Sequence, residues 1–372
     1  MVSTGIFARA VVPVVLAALA IATPAFAQTP PAALKVQDDG TITTPSFELP
    51  YSSFASPEAH RAYIERLRGA APMNGSGDLK SIRAASDAKL KPQYDVIRRM
   101  YPVRSTRSKI GNVPIETFIP AAGIAPANRN KVLIQVHGGG FVAGGGGLAG
   151  AIESIPTGVT MRIKVVAVDY RLAPENKFPA ASEDVEIVYR ELLKTYRPEN
   201  IGIYGCSAGG MLSAEMVPWF LKKKLPLPGA IGVFCASNHT FAEGDSAQIW
   251  TRTGSVLPII PPKHPDGTFG RTLPYFAGTT PMDPLAVPGA SIDVLKKFPP
   301  TLFLTGTRAP EMSGAAQSHL ELIDLGRESE LLLFDGMDHG FYSDATLPES
   351  QRAYRMIARF FTKYLGRVPG KR

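Results

Sequence analysis

Apolar runs that alternate with amphipathic stretches constrain the fold of this 372-residue chain more than any other feature of its sequence. Most of the runs are rich in β-branched residues and almost free of polar ones, so they predict buried strands. They span residues 113–120, 131–136, 163–170, 200–205, 230–236, 300–306 and 330–336. Stretches with helical periodicity separate most of them, at 182–196, 210–223, 314–325 and 349–365. This alternation predicts an α/β fold with a mostly parallel sheet flanked by helices, in which ligand chemistry lies at the carboxyl ends of the strands.

Composition narrows the class of protein. Hydrophobic residues make up 45% of the chain and charged residues 19%, which is typical of a globular protein and excludes a disordered one. The net charge of +8 comes from scattered Lys and Arg that are not interleaved with aromatic residues, so we expect no nucleic-acid partner. The six histidines show no metal-binding spacing, and no metal site is predicted. The two cysteines, Cys206 and Cys235, lie in or beside apolar strands and are predicted to be free buried thiols.

The first 27 residues have the pattern of an export signal. Arg9 is their single charge, residues 10–22 are apolar, and Ala25-Phe26-Ala27 places small residues where a signal peptidase cleaves. We predict cleavage after Ala27 and a periplasmic or secreted protein with no stable membrane insertion; the alternative is an uncleaved anchor. Residues 28–56 are rich in Pro, Thr, Ala and Gln and are predicted to form a linker or arm. Residues 57–100 carry two helical patterns that need a larger body to pack against.

Residues 205–209 read Gly-Cys-Ser-Ala-Gly between a predicted strand and a predicted helix. In this context G-x-S-x-G forms a sharp turn that lifts the serine hydroxyl clear of the sheet. The helix that follows points its N-terminus at the same place, where its dipole stabilises developing negative charge. Ser207 is therefore the candidate nucleophile.

Two further loops follow predicted strands and carry complementary groups. Residues 137–141 read His-Gly-Gly-Gly-Phe, and glycines allow several backbone N–H groups to converge on one oxyanion. Gly138, Gly139 and Ala208 are the candidate oxyanion-hole donors, with His137 as a brace for the loop. His339 follows the last predicted strand and is the candidate general base.

The motifs together resemble those of a known family. HGGGF at 137–141, DYRLAPE at 169–175, FPAA at 178–181 and GCSAGG at 205–210 are similar to the hormone-sensitive-lipase-like family of α/β hydrolases, the bacterial family IV esterases. The resemblance covers residues 55–366. It implies an α/β-hydrolase fold with an eight-stranded sheet, a catalytic domain over 106–366 and an N-terminal helical cap over 57–105. It also implies cofactor-free hydrolysis of carboxylic esters with short to medium acyl chains, and a possible homodimer.

The sequence departs from the family pattern at the acid of the catalytic triad. Ala309 stands where the family usually carries Asp. Glu311, two positions on, is the favoured substitute, and Asp283 or Asp335 is a second possibility. Asp338 is disfavoured, because a neighbour in sequence rarely bonds the ring nitrogen with good geometry. In the third possibility no acid serves, and a serine hydrolase that lacks its acid loses roughly 10⁴-fold in kcat.

The predicted function is that of a serine hydrolase for small-molecule carboxylic esters, working through an acyl-enzyme on Ser207. A lactone hydrolase with the same machinery and a non-catalytic ligand-binding member of the fold are the alternatives, the latter because of Ala309. Dinucleotide binding is disfavoured, because the glycine spacing after the strand at 131–136 is loose. Phe141 and Met211 are candidate substrate-pocket residues, with a plain core position as the alternative. By resemblance, Tyr170 and Arg171 are expected to brace the oxyanion loop.

Overall fold

The computed structural model describes residues 1, 34–46, 48–69, 78–253 and 273–367. The predicted signal peptide, apart from Met1, lies outside the described residues. No helix in the described ranges has the length and apolarity that a membrane crossing needs. The chain divides into two compact units, Met1–Leu49 and Pro50–Arg372. The first contains a short antiparallel hairpin of exposed residues, β1 (Lys35–Val36) and β2 (Ile42–Thr43), within the segment predicted as an arm.

The second unit is built on an eight-stranded sheet. Its strands are β3 (Val103–Ile110), β4 (Val113–Pro120), β5 (Val132–Val136), β6 (Lys164–Val168), β7 (Ile201–Cys206), β8 (Ala230–Phe234), β9 (Thr301–Gly306) and β10 (Ser329–Phe334). They lie in the order β10-β9-β8-β7-β5-β6-β4-β3. The six strands from β10 to β6 are parallel, and β4 and β3 add an antiparallel edge. This confirms the predicted fold class.

Helices cover both faces of this sheet. They are α1 (Pro57–Gly69), α2 (Leu79–Met100), α3 (Leu148–Met161), α4 (Ala180–Leu193), α5 (Ala208–Lys222), α6 (Gly244–Ile249), α7 (Ile292–Leu295), α8 (Met312–Asp324) and α9 (Pro348–Tyr364). Because successive strand residues point to opposite faces, β5 sends Ile134 into the core shared with α4 and α5, and Leu133 into the core shared with α3 and α9. Each such buried side chain stabilises the fold by about 1.5–3 kcal/mol.

Two elements differ from the expectation. Strand β3 has the sequence VRSTRSKI and is mostly exposed, so it lacks the apolar run that predicts a strand. Helix α3 carries Gly150, Pro156 and Gly158, which weaken its helical pattern, yet it is almost completely buried. The two predicted cap helices are present as α1 and α2 and belong to the same compact unit as the sheet. The boundary predicted at 105/106 falls inside β3.

Candidate active site

Ser207 lies in a tight turn between β7 and α5. Its backbone has φ 59° and ψ −122°, a strained conformation for a residue with a side chain. Its N–H donates to the carbonyl of Phe234 at 2.8 Å, which ties the turn to the neighbouring strand. A Cβ on either Gly205 or Gly209 would come within 1.9 Å of the carbonyl oxygen of Val136. The G-x-S-x-G spacing is therefore a packing requirement: only glycine lets the turn approach β5.

The glycine loop after β5 lies directly against this turn. A Cβ on Gly138 would be 3.4 Å from Cβ of Ser207, and Gly139 has φ 117°, which favours glycine. The loop is braced from behind, since Tyr170 Oη donates to the carbonyl of His137 at 2.6 Å and the two rings stack at 4.1 Å. His137 Nδ1 in turn lies 2.7 Å from the carbonyl oxygen of Gly138, and donates to it as the N–H tautomer.

Ala208 and Arg171 were also predicted to support the oxyanion site, and only Ala208 has a position that fits this role. Ala208 is the first residue of α5, where a helix has backbone N–H groups without partners in the helix. Arg171 pairs with Asp184 at 2.9 Å and Glu183 at 2.8 Å, so it fixes the segment after β6 rather than reaching the turn at Ser207.

His339 and Glu311 meet at the ends of the last two parallel strands. His339 Nδ1 lies 3.0 Å from one carboxylate oxygen of Glu311, and the other oxygen accepts from Thr305 Oγ1 at 2.9 Å. The Glu311 side chain is 0% exposed and that of His339 is 10% exposed. Because Nδ1–H donates to the carboxylate, the lone pair on Nε2 is left to accept a proton. Thr305 was not singled out from the sequence; its place at the end of an apolar strand gives no signal of this contact.

The alternative acids bond elsewhere. Asp335 accepts from the hydroxyls of Ser52 and Thr307. Asp283 accepts from the backbone N–H of Leu285 at 2.9 Å. Asp338 accepts from the backbone N–H of His339 at 2.7 Å and pairs with Arg66 at 2.6 Å, so it holds the loop and not the ring. Of the acids considered from the sequence, Glu311 is the one that bonds the imidazole.

The loop of His339 touches the turn of Ser207 through their neighbours. A Cβ on Gly340 would lie 3.8 Å from Sγ of Cys206. Among the described residues, the structure shows no direct hydrogen bond between Ser207 and His339. This contact is often long in a serine hydrolase without substrate, and it tightens in the substrate complex.

The pKa of His339 is raised above its usual value by its surroundings. Burial alone would lower it, but the charge of Glu311, its hydrogen bond to the ring, and the charge of Asp338 outweigh that effect. Lys89 of α2 acts in the opposite direction. The balance favours the imidazolium, which is the form that a general base takes after it has accepted a proton.

The predicted cap helices contact the loops that form the site. Arg66 of α1 pairs with Asp338, and Arg83 of α2 donates to the carbonyl oxygens of Val142, at 2.8 Å, and Ala173, at 3.1 Å. Both arginines therefore bind segments next to His339 or to the glycine loop. Sequence analysis missed them, because a helical arginine usually lies on a solvated face.

The predicted pocket residues are buried in the core. Phe141 is 0% exposed and stacks on Tyr275 with ring centroids 4.2 Å apart, and Met211 is 4% exposed. A role for either in binding substrate stays a prediction. The ring of Phe241 stands edge-on to His339 at 5.3 Å and is a further candidate for the wall of the site.

Both cysteines are free thiols, and one of them lies beside the imidazole. One ligand atom each of Cys235, Glu311 and His339 lie within 4.8 Å of one another. Sulfur, imidazole nitrogen and carboxylate oxygen are a ligand set that zinc accepts. Because His339 already bonds Glu311 through Nδ1, we assign no catalytic role to a metal in this cluster.

Comparison with known proteins gives the family. A family model described as the α/β-hydrolase fold matches residues 133–343, more than half of the chain. The chain therefore belongs to the α/β-hydrolase family. It is 34% identical over 128 residues to arylacetamide deacetylase of Oryctolagus cuniculus; the match spans 32% of this chain and 32% of that one, about a third of its length.

Two solved structures extend the similarity to almost the whole described chain. The crystal structure of an esterase, E25, has 28% sequence identity and a TM-score of 0.73, and the match covers 87% of this chain and 98% of that one. An esterase from the bacterial hormone-sensitive lipase family has 26% identity and a TM-score of 0.68, with 84% and 99% covered. These neighbours confirm the predicted membership in the hormone-sensitive-lipase-like group of α/β hydrolases.

Proposed function

We propose that the protein is a carboxylic ester hydrolase that acts on small esters with short to medium acyl chains through an acyl-enzyme on Ser207. The observation that carries the proposal is the 3.0 Å contact between His339 Nδ1 and the buried carboxylate of Glu311, at strand ends next to the Ser207 turn. The esterase names of the two structural neighbours and the deacetylase name of the curated relative support the same class of reaction.

The proposed mechanism follows from these positions. Ser207 Oγ attacks the ester carbonyl carbon while His339 Nε2 takes its proton. Glu311 keeps the proton of the ring on Nδ1 and stabilises the imidazolium. The backbone N–H groups of Gly138, Gly139 and Ala208 bind the oxyanion. His339 then protonates the leaving alcohol and activates the water that releases the acyl group.

The positions of Glu311 and His339 also bear on the two alternative functions, a non-catalytic binding protein and a lactone hydrolase. A non-catalytic binding protein was motivated by Ala309, but Glu311 supplies a carboxylate to His339 from the same loop. Ala309 therefore no longer favours a non-catalytic protein. A lactone would undergo the same attack by Ser207, and no feature of the described residues favours it over an open-chain ester. The pattern of residues 1–27 supports the further proposal that the mature protein is periplasmic or secreted.

The proposal is tested by rapid mixing of the protein with p-nitrophenyl acetate, butyrate, octanoate and decanoate. We expect release of p-nitrophenol with an initial burst that equals the concentration of active sites for at least one ester, because a covalent intermediate accumulates when its hydrolysis is slow. Mass spectrometry of the acid-quenched protein should then place the acyl group on the peptide that contains Ser207. Turnover with the acyl group on another residue would overturn the assignment of the nucleophile, and no turnover of any ester would overturn the function.

The decrease of kcat/KM at low pH should follow the protonation of His339. The base must be neutral to accept the serine proton, and Glu311 raises its pKa. As the pH is lowered, kcat/KM is therefore expected to fall with a midpoint above 6.5, which is the ordinary pKa of imidazole. Steady-state rates from pH 5 to 8 measure this limb. A limb centred below 6.5 would mean that the Glu311 carboxylate does not act on the ring in solution.

A further inference from the structure

We infer that Glu153, which the proposed mechanism does not use, is a positioning residue for this reaction and that it works as a neutral carboxylic acid. It lies in the middle of α3, behind the site, where the oxyanion loop, the Ser207 turn and the His339 loop meet. The inference rests on the proposed function, because the role we assign is to hold these three segments during ester hydrolysis.

Glu153 contacts residues from more than one segment of the site. Tyr342, three residues beyond His339, donates its hydroxyl to Glu153 Oε2 at 3.1 Å. Tyr204 of β7 donates to the backbone oxygen of Glu153 at 3.2 Å. The backbones of Gly138 and Cys206 are close enough to the carboxyl group to lower its pKa. One side chain thus links the loop of the base, the residue before the nucleophile and a proposed oxyanion donor.

Among the described residues, the groups that face Glu153 include none of opposite charge. Glu153 is 6% exposed. The titratable groups that face it come from four surrounding elements and are all uncharged at neutral pH. They are Tyr170 after β6, Tyr204 and Cys206 of β7, Tyr342 after β10, and Tyr354 of α9. An ionised carboxylate would be buried without a partner of opposite sign, which is costly.

A buried glutamine beside Glu153 lacks a hydrogen-bond donor for its side-chain oxygen. Gln135 of β5 is fully buried beside the carboxyl group, and neither end of its amide has a hydrogen-bond partner of good geometry. A proton on Glu153 supplies an O–H for Gln135 Oε1, whereas a carboxylate does not. Burial, opposed in part by the hydrogen bond from Tyr342 and by the nearby amide of Gln135, raises the pKa of Glu153 to about 8. The neutral acid is therefore the form present near pH 7.

Ionisation of Glu153 has a predictable effect on the reaction. A negative charge on Glu153 would compete for the N–H of Gly138 and would repel the negative charge that develops on the oxyanion. Losing one oxyanion donor costs about 10²–10³-fold in kcat in a well-studied serine hydrolase. We expect kcat to fall by at least about tenfold as Glu153 ionises above pH 8, because the donors are weakened and not removed.

The test compares three proteins from pH 7 to 10, with active sites titrated by the burst. Wild type should lose activity at the alkaline end of this range. Glu153→Gln, which keeps the shape but cannot ionise, should stay within about twofold of its own maximum up to pH 10. Glu215→Gln is the matched control, since Glu215 is an equally buried glutamate whose carboxylate bonds Ser182, away from the site. It should lose activity as wild type does. An alkaline fall that survives in Glu153→Gln, or no fall in wild type, would overturn the inference.

Two additional measurements distinguish failure of the Glu153 role from poor folding of the variant and from failure of the proposed function. Tyr342→Phe removes a hydrogen bond that favours the ionised form, so it should move the alkaline fall to higher pH even if Glu153→Gln folds poorly. Infrared difference spectra at pH 7 should show a protonated carboxyl band that Glu153→Gln lacks. If wild type hydrolyses no ester, the proposed function and the positioning role both fail, while the infrared band still decides whether Glu153 is neutral.

Discussion

Replacing Ser207 by alanine is expected to lower kcat for p-nitrophenyl esters by about 10⁶-fold, the scale seen when a serine hydrolase loses its nucleophile. The physical reason is that Oγ is the atom that forms the covalent bond, and the strained turn at φ 59° presents this one side chain at the end of β7. A neighbouring hydroxyl cannot substitute for it, because the base and the oxyanion donors are arranged around this position. The rate that remains should reflect the oxyanion hole and substrate binding alone.

The control for this variant is Ser213→Ala. Ser213 lies in α5, the helix that follows Ser207. It is buried and donates its hydroxyl to the carbonyl of Gly209 at 2.8 Å. Its loss tests whether any serine-to-alanine change near the turn disturbs the site. We expect its kcat to stay within about threefold of wild type, since one neutral hydrogen bond contributes only about 1 kcal/mol. Equal rates for Ser207→Ala and wild type would remove the catalytic assignment.

Replacing Glu311 by glutamine should lower kcat by about 10³–10⁴-fold while leaving KM almost unchanged. The amide keeps the volume of the carboxylate, so Thr305 and the loop still have a residue of the same shape to pack on. It carries no charge, however, and it can donate to His339 Nδ1 and so favour the wrong tautomer of the ring. The imidazolium that forms in the transition state would also lose its counter-ion.

Steady-state kinetics of Asp335→Asn serve as the comparison for Glu311→Gln. Asp335 lies at the end of the neighbouring strand and bonds hydroxyl groups, not the imidazole. It was a candidate acid on sequence grounds, so its near-normal activity would separate the two assignments. A loss of less than about tenfold in Glu311→Gln, or a loss of 10³-fold in Asp335→Asn, would show that another group orients His339.

Sequence patterns predicted the parts of the fold that depend on local periodicity. Helix α1 begins at Pro57, where the helical patterns were predicted to begin, and the parallel strands all fall on the predicted apolar runs. Strand β3 could not be found in this way, because an exposed edge strand pairs through its backbone and needs no apolar side chains. Helix α3 was hidden by Gly150, Pro156 and Gly158, whose cost to the helix is offset by tertiary packing.

In the site, too, some residues could be predicted from the sequence and others could not. Ser207 and the glycine loop are predictable because close backbone approach demands glycine at fixed spacing. The choice between Glu311 and other acids was open on the sequence, because it depends on how the loop after β9 turns. The hydrogen bond from Thr305 to Glu311 is the kind of contact that fixes such a turn. Glu153 could not be recognised at all, since its helix was missed and its partners come from distant strands.

Asp338 links the position of the catalytic base to the position of helix α1. It fixes the backbone of His339 and, through Arg66, also fastens α1 to the same loop. Mutations in α1 that open the site to bulkier substrates would then disturb the base as well, unless Arg66 is retained. Substitutions that admit a bulkier substrate are therefore expected to be tolerated at positions of α1 and α2 other than Arg66.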